Sequence, residues 1–202
     1  KNLGGVSSSS EVVSSKVTAA MPYPVAVLLD NVNAQYNDLV RVLFLCDAVE
    51  CYARWRLSQM LCAIHSERNG MIPDQVMGRI SLSITKPSMG SWVSSYEHLA
   101  RQVQNKKDWG VSSLKKEIKA LRDITQLRNK LAHGDMGGDA AVYLSKVQGL
   151  ANTIFDSYIK NGMSCLAVCA QGVIRADGLE LEKSKQKPKN ILQLDERSEY
   201  FV

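Results

Sequence analysis

Arg128 and His133 stand five positions apart in Leu127-Arg128-Asn129-Lys130-Leu131-Ala132-His133-Gly134, with the polar Asn129 directly after the arginine. These side chains suit one reaction well, the cleavage of RNA by its own 2′-hydroxyl. An imidazole titrates near neutrality, so it could take the 2′-OH proton or return one to the leaving 5′-oxygen. A guanidinium is always charged and fork-shaped. It would grip the non-bridging phosphate oxygens and offset the charge built up in the transition state. Such a step needs no metal and no cofactor, and the chain offers no His/Cys/Asp cluster at ligand spacing. Cys165 and Cys169, on an expected strand with no second pair, read as packing.

The element that must position this pair is a helix running from Ser113. Leu114, Ile118, Leu121, Ile124 and Leu131 recur at helical spacing. At about 100° per residue Arg128 projects into the middle of that apolar stripe. A guanidinium there must be paired inside the fold, face a cleft or face a partner subunit. His133 lies about 140° further round an ideal helix, so the two side chains do not converge on a straight rod. Gly134, followed by Gly137 and Gly138, lets the helix end or unwind there. The pair could then meet within one chain or be completed across a dimer axis. The bland alternative is an arginine paired inside a bundle and a histidine at a frayed helix end.

A second element bears on the same charge. The longest apolar helix is expected from about Ala34 to His65, the central member of a bundle. Within it Asp47, Glu50 and Arg54 fall within about 60° of one another. Glu50 and Arg54 make an i,i+4 pair, and Asp47 or Glu50 could also hold the guanidinium of Arg128, since a buried charge needs a partner. Basic charge gathers around the motif. From Arg101 to His133 there are nine Lys and Arg against three acids (Asp108, Glu117 and Asp123), while the whole chain carries only +5. A polyanion-binding surface requires such an excess, and Lys119, Arg122 and Lys130 are its substrate-binding candidates. Lysines at these positions also read as an ordinary solvated helix face.

Arg128-Asn129-Lys130-Leu131-Ala132-His133 resembles the signature of the HEPN superfamily: an arginine, four to six residues, then a histidine, often with a polar residue after the arginine. Met21-Pro22-Tyr23-Pro24-Val25-Ala26 and Lys86-Pro87-Ser88-Met89-Gly90-Ser91-Trp92 look like stretches of bacterial HEPN regions in larger multidomain proteins. The resemblance covers roughly residues 21 to 161. It implies a mainly α, antiparallel helical bundle and a metal-independent endoribonuclease that works as a homodimer on RNA. Both copies of the motif would line one cleft and leave 2′,3′-cyclic phosphate ends, and the resemblance would place the chain in a bacterial defence or toxin system. Carried over by position, Arg128 and His133 are catalytic, and Asn129 binds phosphate or positions His133. Many relatives keep the fold only as dimerisation, nucleotide-sensing or regulatory modules. The second expectation is therefore a non-catalytic module attached to an effector domain.

The remainder of the chain sets the boundaries. Residues 1–20 are Ser-rich and read as a flexible tail, residues 21–162 as the bundle, and residues 163–202 as a small C-terminal antiparallel β-meander or the start of a further domain. Pro22 and Pro24 predict an extended lead-in. Strands are expected over 164–174, 179–182 and 191–194, with an Asp-Gly hairpin turn at 175–178. Five cysteines without framework spacing point to a reducing compartment. No apolar run reaches about 18 residues, so a soluble, cytoplasmic protein without membrane contact is expected. The chain does not open on Met, which fits a fragment or a processed product. No helix-turn-helix spacing speaks for DNA binding.

Overall fold

The computed structural model describes residues 11–68, 71–103, 111–134 and 139–160, together with the strands 166–169 and 172–175. The described residues are mainly helical: α1 (Ser15–Ala20), α2 (Tyr23–Ala34), α3 (Asp38–Glu67), α4 (Asp74–Thr85), α5 (Met89–Val103), α6 (Val111–Ala132) and α7 (Ala140–Lys160). None of these helices is long and apolar enough to cross a membrane.

The centre is α3, 30 residues long, which makes it about 45 Å from end to end. Its start is fixed by Asn37, whose side-chain oxygen accepts the backbone N–H groups of Leu39 and Val40 at 2.9 and 3.2 Å, satisfying two of the four donors that a helix leaves open. It packs against α2, α5, α6 and α7. Buried side chains therefore point from it in several directions, among them Val42, Leu45, Val49, Ala53, Leu57 and Met60. Tyr52 meets Phe155 and Tyr158 of α7 edge-on, with ring centroids 5.9 and 5.7 Å apart.

Polar groups close the other seams. Ser88 and Ser91 at the start of α5 cap one another, each backbone N–H donating to the other hydroxyl at 3.0 and 3.1 Å. Between α4 and α5 the hydroxyls of Ser83 and Ser95 lie 2.7 Å apart, and Ser95 also donates to the carbonyl of Arg79 at 3.2 Å. These bonds satisfy hydroxyls that would be costly to bury unpaired.

Three expectations need correction. Pro22 and Pro24 do not hold an extended lead-in: Pro22 is the N-cap of α2 and Pro24 lies in its first turn, where a missing N–H costs nothing. Residues 11–20 are not a flexible tail. Val12 and Val13 are buried, their N–H groups donate to the side-chain oxygen of Asn33 at 3.0 and 3.1 Å, and Asn33 Nδ2 donates back to the carbonyl of Val13 at 2.7 Å. Gln148 Nε2 donates to the carbonyl of Val12 at 2.5 Å, which fastens the same segment to α7. Residues 1–10 of the expected tail lie outside the described residues.

The single strand expected over 164–174 is instead two: β1 (Leu166–Cys169) and β2 (Gly172–Arg175) pair antiparallel, with Leu166 opposite Arg175 and Cys169 opposite Gly172. Gly172 interrupts the apolar run where it folds back, as a glycine within a strand pattern often does. Of the turn expected at 175–178, Arg175 is the last residue of β2; residues 176–178 and the strands expected at 179–182 and 191–194 lie outside the described residues.

Candidate functional site

Helices α3 and α6 run antiparallel. Glu50 lies opposite Arg128, while Tyr52 and Arg56, further along α3, lie opposite Glu117, earlier in α6. Leu114, Leu121 and Ile124 hold α6 in the core. Arg128, on the same stripe but one turn from the helix end, emerges half-buried, its side chain 34% exposed. It forms one wall of a cleft of about 480 Å³ lined by Leu39, Leu43, Asp47, Leu131, Ala132 and Gly134.

The guanidinium faces Glu50, and Asp47 stands on the same cleft within reach of its charge. Arg128 Nη2 is 3.8 Å from Glu50 Oε2, an ion-pair distance too long for a hydrogen bond. The other carboxylate oxygen of Glu50 accepts a hydrogen bond from Arg54 Nη2. Both readings of Glu50 therefore hold together, because one carboxylate serves two arginines. Arg54 is further held over the ring of Trp92, 4.9 Å from the centroid. Asp47 is exposed, yet the cleft wall removes enough water from its carboxyl to raise its pKa; Arg128 opposes that shift, Glu50 adds to it and Arg54 opposes it. Behind it the Cys46 thiol is pushed up to about 12, by burial first, against the pull of Arg128 and with help from Asp47 and Glu50.

Beyond Arg128 the helix stops where the glycine signal placed it. Ala132 is the last helical residue. The His133 N–H still donates to the carbonyl of Asn129 at 3.1 Å, and Gly134 turns the chain with φ of +73°, a conformation natural to glycine alone. Asn129, Lys130 and His133 are all exposed. Among the described residues no hydrogen bond or ion pair joins Arg128 to His133. They share one end of α6 rather than one contact.

The remaining candidates sit further back on α6 and are partly neutralised. Lys119 pairs with Asp123 at 2.9 Å, and Arg122 reaches across to Glu97 of α5 at 2.5 Å. Arg101 also bonds Glu97, at 2.6 Å. Burial acts to raise the Glu97 pKa, but the bonds from Arg122 and Arg101 outweigh it and hold the carboxyl below its usual range. The basic surplus counted along the sequence is thus reduced at the surface by local acids, and Lys130 is the candidate nearest the cleft.

A second charged group escaped the sequence reading. Arg56 and Glu117 are fully buried, with Arg56 Nε 3.7 Å from Glu117 Oε1. Tyr52 and Tyr96 both donate to that same oxygen, at 2.7 and 2.5 Å, and Ser157 donates to Oε2 at 3.4 Å. Arg56 also donates to Gln59 Oε1 at 2.8 Å and lies over the ring of Tyr158. Burial, then the Glu117 charge, lifts both tyrosines well above their ordinary pKa. The signal was present: Glu117 stands three after Leu114, four before Leu121 and seven before Ile124, on the core stripe itself. Arg56, Glu117, Tyr52 and Tyr96 are buried, and the cluster joins α3, α5, α6 and α7 from within.

Among the described residues no group of three His, Cys, Asp or Glu side chains could hold a metal ion. Cys46, Cys51 and Cys62 are thiols, not disulfides. No family model, curated protein or solved structure matches the chain.

Proposed function

We propose that the chain is a metal-independent endoribonuclease of HEPN type, with its site at the α6 end of the α3–α6 cleft and completed by a second copy. One observation carries this reading. The Arg128 guanidinium is half-exposed on a cleft, 3.8 Å from its carboxylate neighbour, and makes no hydrogen bond among the described residues. Its donors are therefore open to a ligand, and a phosphodiester presents the paired oxygens that a guanidinium fork matches.

In the reaction the ribose 2′-oxygen bonds to phosphorus as the bond to the 5′-oxygen breaks. One proton leaves the 2′-hydroxyl and one arrives at the 5′-oxygen. Arg128 holds the non-bridging oxygens, and His133, one helix end away, moves a proton. Asn129, exposed beside Arg128, donates to phosphate. Because no bond joins Arg128 to His133 within one chain, a symmetric pair of chains that brings both motifs to one cleft supplies the missing closeness.

Leu39, Leu43 and Leu131 favour a second reading. They make the cleft walls apolar, and Leu43 is 45% exposed, as a subunit-pairing surface would be in a non-catalytic module. RNA incubated with the protein in EDTA separates the two. Under the nuclease reading wild type cuts, while Arg128→Ala and His133→Ala stay folded and lose at least a hundred-fold in rate, roughly the contribution of a general acid–base group. Intact RNA in every lane leaves only the pairing module.

A further inference from the structure

We propose that Arg54 is a second phosphate-binding residue of this site, holding the phosphodiester next to the one gripped by Arg128; this rests on the ribonuclease reading above. The two guanidiniums face opposite oxygens of a single carboxylate: Arg54 bonds Glu50 Oε1, and Arg128 lies at ion-pair distance from Oε2. Glu50 and the exposed Asp47 balance the two positive charges, so what the group offers outward is unused guanidinium N–H donors rather than net charge. Arg54 gives one Nη2 to Glu50, and Arg128, 3.8 Å away, gives none. A guanidinium has five N–H donors, which leaves each with donors for a second anion. The Arg54 side chain is 50% exposed.

What distinguishes Arg54 from the other basic residues nearby is how it is held. Lys119 is tied to the partly exposed Asp123, and Arg122 to Glu97, which Arg101 also binds. Arg54 is oriented on two sides, by the carboxylate of Glu50 and by the face of Trp92, 4.9 Å from its centroid. A long side chain fixed in this way loses little freedom when it binds. It also lies on a defined track. Because α3 and α6 are antiparallel, the order along their length is His133, Arg128 and Arg54, with Glu50 beside Arg128 and one turn before Arg54, and Arg54 turned toward α5 over Trp92. A single strand that runs from the end of α6 past the cleft toward α5 meets His133 and Arg128 at one phosphodiester and Arg54 beyond it.

The test uses the whole chain and two unlabelled substrates in EDTA, a dinucleoside monophosphate and a tetranucleotide, with binding of a fluorescent oligoribonucleotide followed against salt. In Arg54→Gln the ratio of kcat/KM for the tetranucleotide to that for the dinucleotide falls about ten-fold, as expected for one lost charge-assisted contact. The slope of log affinity against log salt becomes shallower by about 0.7, the value for one phosphate on a single strand. Arg54→Lys keeps the charge and restores the slope.

If both substrates slow by the same factor, Arg54 acts only through Glu50 on Arg128 and the proposal is overturned. It is also overturned if Arg54→Gln changes neither ratio nor slope while Arg128→Ala abolishes cleavage, a result that leaves the nuclease reading standing. Should wild type neither bind nor cut RNA, the reading beneath the proposal falls with it.

Discussion

Replacing Glu117 by Gln removes one charge from the middle of the bundle without changing its volume, so no cavity is made. The carboxylate is sealed, with side-chain exposure of 1% at both Glu117 and Arg56. It accepts from Tyr52 at 2.7 Å and from Tyr96 at 2.5 Å. The amide keeps one acceptor oxygen for these hydroxyls but takes away the carboxylate charge that faces the buried Arg56 guanidinium at 3.7 Å, which the neutral Gln59 does not replace. Breaking a buried pair from one side costs about 3–5 kcal/mol, a large part of the roughly 5–15 kcal/mol that holds a domain folded. With a urea m-value of about 2 kcal/mol/M, the midpoint should fall by about 2 M. Arg56→Met on top of Glu117→Gln removes that guanidinium and should recover much of the loss, so the two changes are far from additive. Urea unfolding followed by circular dichroism measures both. A midpoint shift below about 0.5 M at constant m, or simple additivity in the double variant, would refute the view that this pair is a coupled charge in a dry core.

Other expectations follow from the same structure. Tyr52 and Tyr96 have folded pKa values raised well above normal, so the stability they contribute is complete below about pH 10, the ordinary tyrosine value, and is lost as pH rises above it toward the folded values. Stability from thermal melts should therefore fall with pH above about 10, by up to about 1.4 kcal/mol per pH unit per tyrosine, and Tyr96→Phe should halve that slope; a flat alkaline limb would contradict this. The buried Cys46, with its thiol pushed up to about 12, should resist alkylation in the native protein at neutral pH while the exposed Cys62 reacts, as peptide mapping after brief iodoacetamide treatment will show. Asn33→Ala deletes three hydrogen bonds to residues 12 and 13. It should cost about 1–3 kcal/mol and open the segment before α1 to limited proteolysis, and an unchanged digestion pattern would count against its docking.

Much of the helical framework can be read from the chain because apolar residues recur at helical spacing and the stops are chemically plain. Gly134 ends α6 at a positive φ, and Ser88 opens α5 as a hydroxyl cap just after a proline. The meeting of Arg128 with Glu50 and Asp47 was also legible, since a cation on an apolar stripe demands an acid and α3 carries two on one face. Other features depended on partners distant in sequence. Val12 and Val13 are two apolar residues in a serine-rich window, and only Asn33 and Gln148, 20 and 136 residues away, hold them. The helix at Tyr23–Ala34 was hidden by prolines that a first turn tolerates. Arg56 and Glu117 were missed because charged residues are read as surface by default, although their positions lie on core stripes. Composition averages over such residues, whereas spacing does not.

The most direct measurement is of the ends left on an RNA cut by the wild-type protein in EDTA, beside the same RNA carrying a single 2′-deoxyribose at the cut position. Attack by the substrate's own hydroxyl predicts a 2′,3′-cyclic phosphate on one product, a free 5′-hydroxyl on the other, and no cut at the deoxy position. Cleavage at the deoxy position, a 5′-phosphate end, or RNA left whole by wild-type protein would contradict the assignment of Arg128 and His133.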